Sequence, residues 1–353
     1  MRISTRKGMA AATLAVAVSL IATACAGPAS APAASSGSAK AFTPATIRLA
    51  LPTSVTSFAN SDIAVAEELG YFKDLGLTVT TTNLKAGGDA VKGVVSGSFD
   101  IGGASIEPVI NAYAGGAPLR IIGSYTDRLE VDMVTPKSID KVADLKGKNL
   151  GVQEVGSFRE VMTRMVLESA KLSQSDVSYL PTNADAIVSA LVAGQIQSGI
   201  LHPEQFVAAQ EKDPDLHSLV NLYKIEPKYY YGTYFTSQSW LEKNPDAAER
   251  FTEALTKAHR AMYDEQDKVV PIIAKATGFP DAVIAKAWTT YMKDVQAFPK
   301  NVGLEKDRLD YTVKRMQELG TLRPGDVPDI SKLIDRTPIT QAVKNLGKVP
   351  ERS

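Results

Sequence analysis

Residues 97–114, GSFDIGGASIEPVINAYA, predict a buried strand that turns directly into a helix. The strand is expected at residues 99–101, and the glycine pair after it allows a tight turn. Ser105 then precedes apolar residues at helical spacing, so it is expected to cap a helix that stops before Gly115. This stretch therefore predicts a strand, turn and helix unit of an α/β protein.

Similar units surround this stretch. Further strands are predicted at residues 47–51, 77–81, 120–124, 131–134, 149–152, 177–180, 196–201 and 229–236, most of them separated by helices. Strands that alternate with helices across short turns favour a mainly parallel sheet covered on both faces. After residue 236 the pattern is helical only, over residues 238–241, 246–264, 267–276, 281–291 and 304–319. The sequence thus predicts an α/β fold with a helical C-terminal extension.

The N-terminal residues have the pattern of an export signal. Basic residues within the first seven positions precede an apolar run over residues 9–24, which ends in small residues just before Cys25. The run is shorter than the ~20 residues that cross a bilayer, so cleavage is expected rather than a membrane span. A lone cysteine at this place is similar to a bacterial lipobox, which predicts residues 1–24 as a lipoprotein signal peptide and Cys25 as the lipidated residue. The alternative is an ordinary secretory signal with an incidental cysteine.

Composition separates a tether from the remaining chain. Residues 25–41 are rich in Ala, Ser, Pro and Gly and cannot bury enough apolar surface to become ordered. Without the three basic residues of the signal, 36 basic side chains stand against 39 acidic ones, which gives no support to nucleic-acid binding. Cys25 is the only cysteine among 353 residues, so an intramolecular disulfide is impossible.

A series of short motifs occurs in order along the chain. They are Gly70-Tyr71-Phe72, Gly76-Leu77-Thr78-Val79, Gly97-Ser98-Phe99-Asp100-Ile101-Gly102, Asp144-Leu145-Lys146-Gly147-Lys148, Gly151-Val152, Ala190-Leu191-Val192-Ala193-Gly194-Gln195-Ile196, Pro203-Glu204 and Lys243-Asn244-Pro245. Together, and behind a lipoprotein-like signal, they resemble the ABC-transporter solute-binding proteins of the nitrate, sulfonate, taurine and thiamine-pyrimidine-precursor group. Gln197-Ser198 departs from the Asp-Ala pair common there, at a position taken as scaffold.

The resemblance implies a type II periplasmic-binding-protein fold with two lobes joined by two crossing strands. Lobe I would comprise residues 42–128 and 229–345, and lobe II residues 129–228. A small organic solute would bind between the lobes, at the carboxyl ends of strands. The expected partners are the permease and ATPase subunits of an ABC importer. The expected location is the cell envelope, where a monomer is lipid-anchored to the outer face of the cytoplasmic membrane or lies in the periplasm.

Loops at the carboxyl ends of predicted strands supply the first candidates for ligand contact. Their hydroxyl groups, and the backbone amides at helix N-termini, suit an anionic or strongly polar head group. The alternative is that these residues only cap helices or form turns. The candidates are Ser54, Ser57, Gly103, Ala104, Ser105, Gly156, Ser157 and Phe158.

Histidine and tyrosine side chains near the same edge are further candidates. His202 and Glu204 directly follow a predicted strand, and Tyr125, Tyr230 and Tyr231 flank the expected lobe crossings, where rings can stack on a solute. Side chains alternate along a strand, so one of the neighbouring tyrosines faces away. The three histidines lack the spacing of a metal site, and neither metal nor cofactor is expected.

Two other functions stay open at this point. Enzymes that resemble pyrimidine synthases share the fold of this group, but they use a cysteine-rich iron-binding stretch with an active-site histidine and lysine. The chain has one cysteine, at the predicted lipidation position. We therefore expect a binding protein rather than an enzyme. Presentation of a solute to an envelope sensor would use the same site and is the second alternative.

Overall fold

The computed structural model describes residues 42–53, 56–322 and 328–352. The predicted signal peptide, the tether, Cys25 and Ser54 lie outside the described residues. Within the described ranges, no helix combines the length and the apolar character that a membrane span requires.

Ten strands form two five-stranded sheets in the described part of the chain. In chain order they are β1 Ala45–Leu51, β2 Leu77–Asn83, β3 Ile101–Ser105, β4 Leu119–Gly123, β5 Asp132–Pro136, β6 Asn149–Val152, β7 Ser178–Pro181, β8 Ser198–Leu201, β9 Leu216–Asn221 and β10 Gly232–Ser237. The first sheet has the order β2-β1-β3-β10-β4, and we call the part built on it lobe I. The second has the order β7-β6-β8-β5-β9 and defines lobe II.

Each sheet is mainly parallel, with one opposed strand. β1 pairs parallel with β2 and β3, whereas β10 runs antiparallel between β3 and β4. In lobe II, β6 pairs parallel with β7 and β8, whereas β5 runs antiparallel between β8 and β9. In both sheets the opposed strand is the first one that the chain enters after it leaves the other lobe. The predicted α/β fold is therefore confirmed.

Helices cover the sheets and fill the C-terminal part. They are α1 Asp62–Glu68, α2 Tyr71–Asp74, α3 Gly87–Val95, α4 Ile106–Ala114, α5 Phe158–Ser169, α6 Ile187–Val192, α7 Pro203–Lys212, α8 Leu222–Ile225, α9 Gln238–Lys243, α10 Pro245–Asp264, α11 Gln266–Thr277, α12 Asp281–Thr289, α13 Lys306–Glu318 and α14 Thr337–Leu346. A π-helical turn over Thr290–Asp294 continues α12, where the sequence predicts one unbroken α-helix. The sequence pattern predicts neither β9 nor α14.

Two segments, residues 124–131 and 226–231, carry the chain between the sheets, and neither forms a regular strand. The crossing strands implied by the resemblance are thus irregular segments. Arg308 of α13 joins them, because it donates to the carbonyls of Asp127 and Tyr229 at 2.6 and 3.0 Å. Arg352 donates to both carboxylate oxygens of the fully buried Asp127, at 2.6 and 2.7 Å. We call Asp127, Arg308 and Arg352 the crossing clamp.

Candidate functional site

A cavity of about 390 Å³ lies between the two lobes, beside the crossing segments. We call it the cleft cavity. Its wall includes Ser105, the last residue of β3, and residues that directly follow β1, β6 and β8, and these are carboxyl ends of strands that share one direction within their sheet. Ligands of open α/β sheets bind at this edge. The lining includes Thr53, Gly87, Gly88, Lys92, Ser105, Tyr125, Gly156, Ser157, Phe158, Arg159, His202 and Tyr231.

Three helices begin at the wall of the cleft cavity. Gly87 and Gly88 form the first turn of α3, Ser105 precedes α4, and Ser157 precedes α5. None of these three helix starts has a capping hydrogen bond from the side chain of its cap residue. Backbone amides and the positive ends of three helix dipoles therefore point towards one space, which favours an anionic group there.

The Oγ of Ser157 donates to the carbonyl of Glu154 at 2.5 Å, and rotation of the hydroxyl would let it donate to an anionic group instead. The preceding Gly156 has a φ of +79°, a left-handed conformation in which any other residue is strained. This conformation reverses the chain from the loop into α5. The sequence therefore requires glycine here to place the start of the helix at the cavity.

Aromatic rings form the second wall of the cleft cavity. The rings of Phe158 and Tyr231 stack with centroids 4.1 Å apart, and Tyr125 meets Tyr231 edge-on at 5.6 Å. The position of the Tyr125 ring depends on Gly232, because a Cβ added there would lie 2.1 Å from the ring. These rings thus give the cleft cavity an apolar part of its lining, which suits the body of an organic solute.

His202 lies at the base of the cleft cavity, where its ring is neutral. Its Nδ1 is 2.9 Å from Oε1 of Glu130, and one proton joins the two atoms. Burial, reinforced by the nearby Arg159 guanidinium, lowers the pKa of His202 well below its ordinary value. Burial also raises the pKa of Glu130 well above its ordinary value. A neutral His202 can donate or accept a hydrogen bond but brings no charge to the site.

Arg159 also lines the cleft cavity, and the sequence analysis missed it. It is the second residue of α5 and is only 3% exposed. A cation in the first turn of a helix interacts unfavourably with the helix dipole, so an arginine at this position is unusual. That position is the feature of the sequence that could have indicated Arg159. Its burial, however, depends on β8 and α7, which are distant in sequence.

A second cavity of about 230 Å³ adjoins the first and shares Thr53, Arg159 and His202 with it. Ser57 and Glu204 line this second space. The fully buried Glu204 accepts hydrogen bonds from the Phe58 amide at 3.1 Å and from the Tyr291 hydroxyl at 3.2 Å. Glu204 of α7 therefore ties lobe II to lobe I and to the C-terminal helices.

Three of the candidates lie away from both cavities. Tyr230 is fully buried in lobe I, its hydroxyl is bonded to Ser124, and its amide donates to Thr312 at 2.7 Å. Gly103 and Ala104 are buried within β3, before the chain reaches the cavity wall. We therefore withdraw Tyr230, Gly103 and Ala104 from the site. Of the neighbouring tyrosines, Tyr231 is the one at the cavity.

The described residues contain no group of three or more His, Cys, Asp or Glu side chains placed to hold a metal ion. The cleft cavity is lined by backbone amides, hydroxyls and aromatic rings, together with the charged side chains of Arg159, Lys92 and Glu154 and the imidazole of His202.

Comparison with known proteins assigns the family. The model of the NMT1/THI5 like family matches residues 58–269, which is more than half of the chain. The chain belongs to this family.

Relatives of this NMT1/THI5 like protein include binding proteins and an enzyme. A protein of Brucella abortus (strain 2308), named as a binding protein, is 26% identical over 222 residues, which cover 62% of this chain and 68% of that protein. A 4-amino-5-hydroxymethyl-2-methylpyrimidine phosphate synthase of Saccharomyces cerevisiae (strain ATCC 204508 / S288c) is 22% identical over 210 residues, covering 56% of this chain and 61% of the enzyme.

A solved structure shows the same fold. The alkanesulfonate-binding protein SsuA from Xanthomonas axonopodis pv. citri, bound to MOPS, superposes with a TM-score of 0.69 at 20% identity. The match covers 84% of this chain and 100% of SsuA. The architecture of the NMT1/THI5 like protein is thus that of a periplasmic solute-binding protein.

Proposed function

We propose that this protein is the lipid-anchored, extracytoplasmic substrate-binding component of an ABC importer. It captures a small organic solute with an anionic or strongly polar head in the cleft cavity and delivers it to a permease. The observation that carries the proposal is the convergence of three helix starts and an aromatic wall on one cavity between two lobes. The lobe boundaries given by the resemblance are part of the same proposal.

The size of the cleft cavity favours an organic solute over a bare inorganic ion. Its volume of about 390 Å³ falls in the ~300–1,000 Å³ range of small-molecule sites. A nitrate ion would leave most of that space unfilled and would make no use of the rings of Phe158 and Tyr231. We therefore favour a sulfonate, a taurine-like solute or a pyrimidine precursor among the solutes of the group.

The candidate residues divide between the two ends of such a solute. Ser105 and Ser157 face the head group with their hydroxyls, at the starts of α4 and α5, and Gly156 shapes the turn into α5. Tyr125, Phe158 and Tyr231 face its body, and His202 supplies a neutral hydrogen bond at the base. Ser57 and Glu204 belong to the adjoining cavity, and Ser54 stays a candidate from the sequence alone.

Binding without turnover is the first test of the proposal. A solute at 100 times its dissociation constant stabilises the folded state by about 2.7 kcal/mol, which a thermal melt detects readily. The bound solute should be recovered unchanged after prolonged incubation. Steady release of a product would instead favour the reaction class of the Saccharomyces cerevisiae relative, and no shift with any solute of the group would contradict the proposal.

The anchor and the partner are tested separately. The mature wild-type protein should carry acyl mass on Cys25 that globomycin treatment or the Cys25→Ala substitution abolishes, and a mature N-terminus without acyl mass would contradict the anchor. Co-purification with a permease and an ATPase supports import. Co-purification with a sensor kinase alone would favour solute presentation to a sensor.

A further inference from the structure

Arg159 is a buried cation that faces a cavity and has only neutral partners. One Nη atom donates to the carbonyl of Ile200, and the other donates to Oε1 of Gln205 at 3.1 Å. None of the ion pairs found among the described residues, within 4.0 Å, includes Arg159. A guanidinium has five N–H donors and stays protonated, so donors remain for another acceptor.

The buried carboxyl groups of Glu130 and Glu204 interact electrostatically with Arg159, but neither forms an ion pair with it within 4.0 Å. Glu130 is bonded to His202, and Glu204 accepts from Phe58 and Tyr291. Burial raises the pKa of both glutamates, which disfavours their charged forms. A buried charge is costly unless it is paired, and proteins keep such charges where a partner or a ligand compensates them.

The position of Arg159 makes a ligand the natural partner. It lines the cleft cavity and the adjoining cavity at once, beside the start of α5 and the ring of Tyr231. An oxyanion placed there would meet the guanidinium and the amides of α5 together. Fixed, desolvated donors of this kind bind carboxylates and sulfonates strongly and with defined geometry.

We propose that Arg159 is the counter-ion of the solute, and that the solute is an organic monoanion whose carboxylate or sulfonate sits at the junction of the two cavities. This inference rests on the proposed function and narrows its solute class. Uncharged solutes of the same shape would leave the guanidinium unpaired and are rejected.

Calorimetry with matched probe pairs tests this directly on the full chain. Propane-1-sulfonate is compared with propane-1-sulfonamide, and butanoate with butanamide, which differ mainly in head-group charge. Wild type should bind each anion at least tenfold more tightly than its amide.

Substitutions then assign the preference to Arg159. Arg159→Gln should reduce the ratio of the two dissociation constants to about one, and Arg159→Lys should keep a preference of at least threefold. The control is Lys146→Gln, since Lys146 is a largely exposed lysine of lobe II that pairs with Asp176 and lines neither cavity. That variant should keep the wild-type ratio within twofold.

The results of these measurements decide whether Arg159 is the counter-ion of the solute. A wild-type ratio near one, no binding of any of the four probes, or a full preference in Arg159→Gln would overturn the assignment. A lower melting temperature of ligand-free Arg159→Gln with an unchanged ratio would show a structural role only. If Arg159→Gln does not fold, the wild-type ratio and Arg159→Lys decide. Failure here leaves the proposed function intact as long as the protein co-purifies with an uncharged solute.

Discussion

At the scale of single residues, Ser157 is the most direct probe of the head-group site. Ser157→Ala should remove the hydroxyl that can turn from the Glu154 carbonyl to donate to the head group, and should weaken binding by about 1 kcal/mol. Ser157→Asp should weaken binding more, because its carboxylate would repel an anionic head and compete for Arg159. Calorimetry with the bound solute gives the order. The matched control is Ser173→Asp, a helix-cap serine of lobe II that lines neither cavity. Ser157→Asp binding as tightly as wild type would contradict the head-group assignment.

Gly232 tests the aromatic wall at the same scale. Gly232→Ala would set a Cβ against the Tyr125 ring, so the free energy of unfolding should fall by about 1–3 kcal/mol and solute binding should weaken. The control is Gly88→Ala, since nothing lies within 4 Å of a Cβ at Gly88. It should leave the free energy of unfolding unchanged or raise it slightly. If the two substitutions change the free energy of unfolding equally in urea, the position of the Tyr125 ring does not depend on Gly232.

At the scale of elements, the crossing clamp fixes both segments that join the lobes. Burial by itself raises the pKa of Asp127, but Arg352, with Arg308 and Arg128, outweighs burial and holds the pKa below its ordinary value. Such a carboxylate stabilises the fold at neutral pH, and this stabilisation is lost as the pH falls from the ordinary value of about 4 through the lower folded value.

Asp127→Asn should therefore lower the free energy of unfolding at pH 7 by on the order of 3 kcal/mol, since it leaves two arginines without their buried partner. The difference from wild type should narrow as the pH falls below about 4. Urea unfolding at pH 7 and at pH 3 measures both values. Asp215→Asn, at a largely exposed aspartate paired with Lys137, is the control and should change little. If the difference in free energy of unfolding between wild type and Asp127→Asn is the same at both pH values, the crossing clamp does not act through charge.

The strands and helices also show which features the sequence predicts and which depend on the tertiary structure. Periodicity and helix caps were sufficient for most strands and helices, including β3 and α4, because those residues are buried in a regular pattern. β9 was missed because it pairs only with β5 at a sheet edge, and most of its side chains are half-buried. The alternation rule predicted that one neighbouring tyrosine faces away, but the tertiary structure decides that it is Tyr230. Arg159 was missed because its burial is set by Ile200 and Gln205.

At the scale of the whole molecule, the proposed function requires one solute held between two lobes. Glu204, the stacked pair Phe158 and Tyr231, and the ion pair of Arg315 with Glu168 at 2.7 Å join lobe II to the rest of the chain around the cavity. A solute bound there touches both lobes at once. It should therefore be retained during purification if the protein is a capture protein.

Native mass spectrometry of the purified protein is the most direct measurement. It should show one small organic solute per chain in wild type, and the solute should be absent from Gly88→Trp, in which the indole fills the open space beside Gly88 in the cleft cavity. Two results would contradict capture of a solute in the cleft cavity. One is a wild-type protein that carries no solute and binds no sulfonate, taurine-like solute or pyrimidine precursor. The other is a solute that stays bound to Gly88→Trp as it does to wild type.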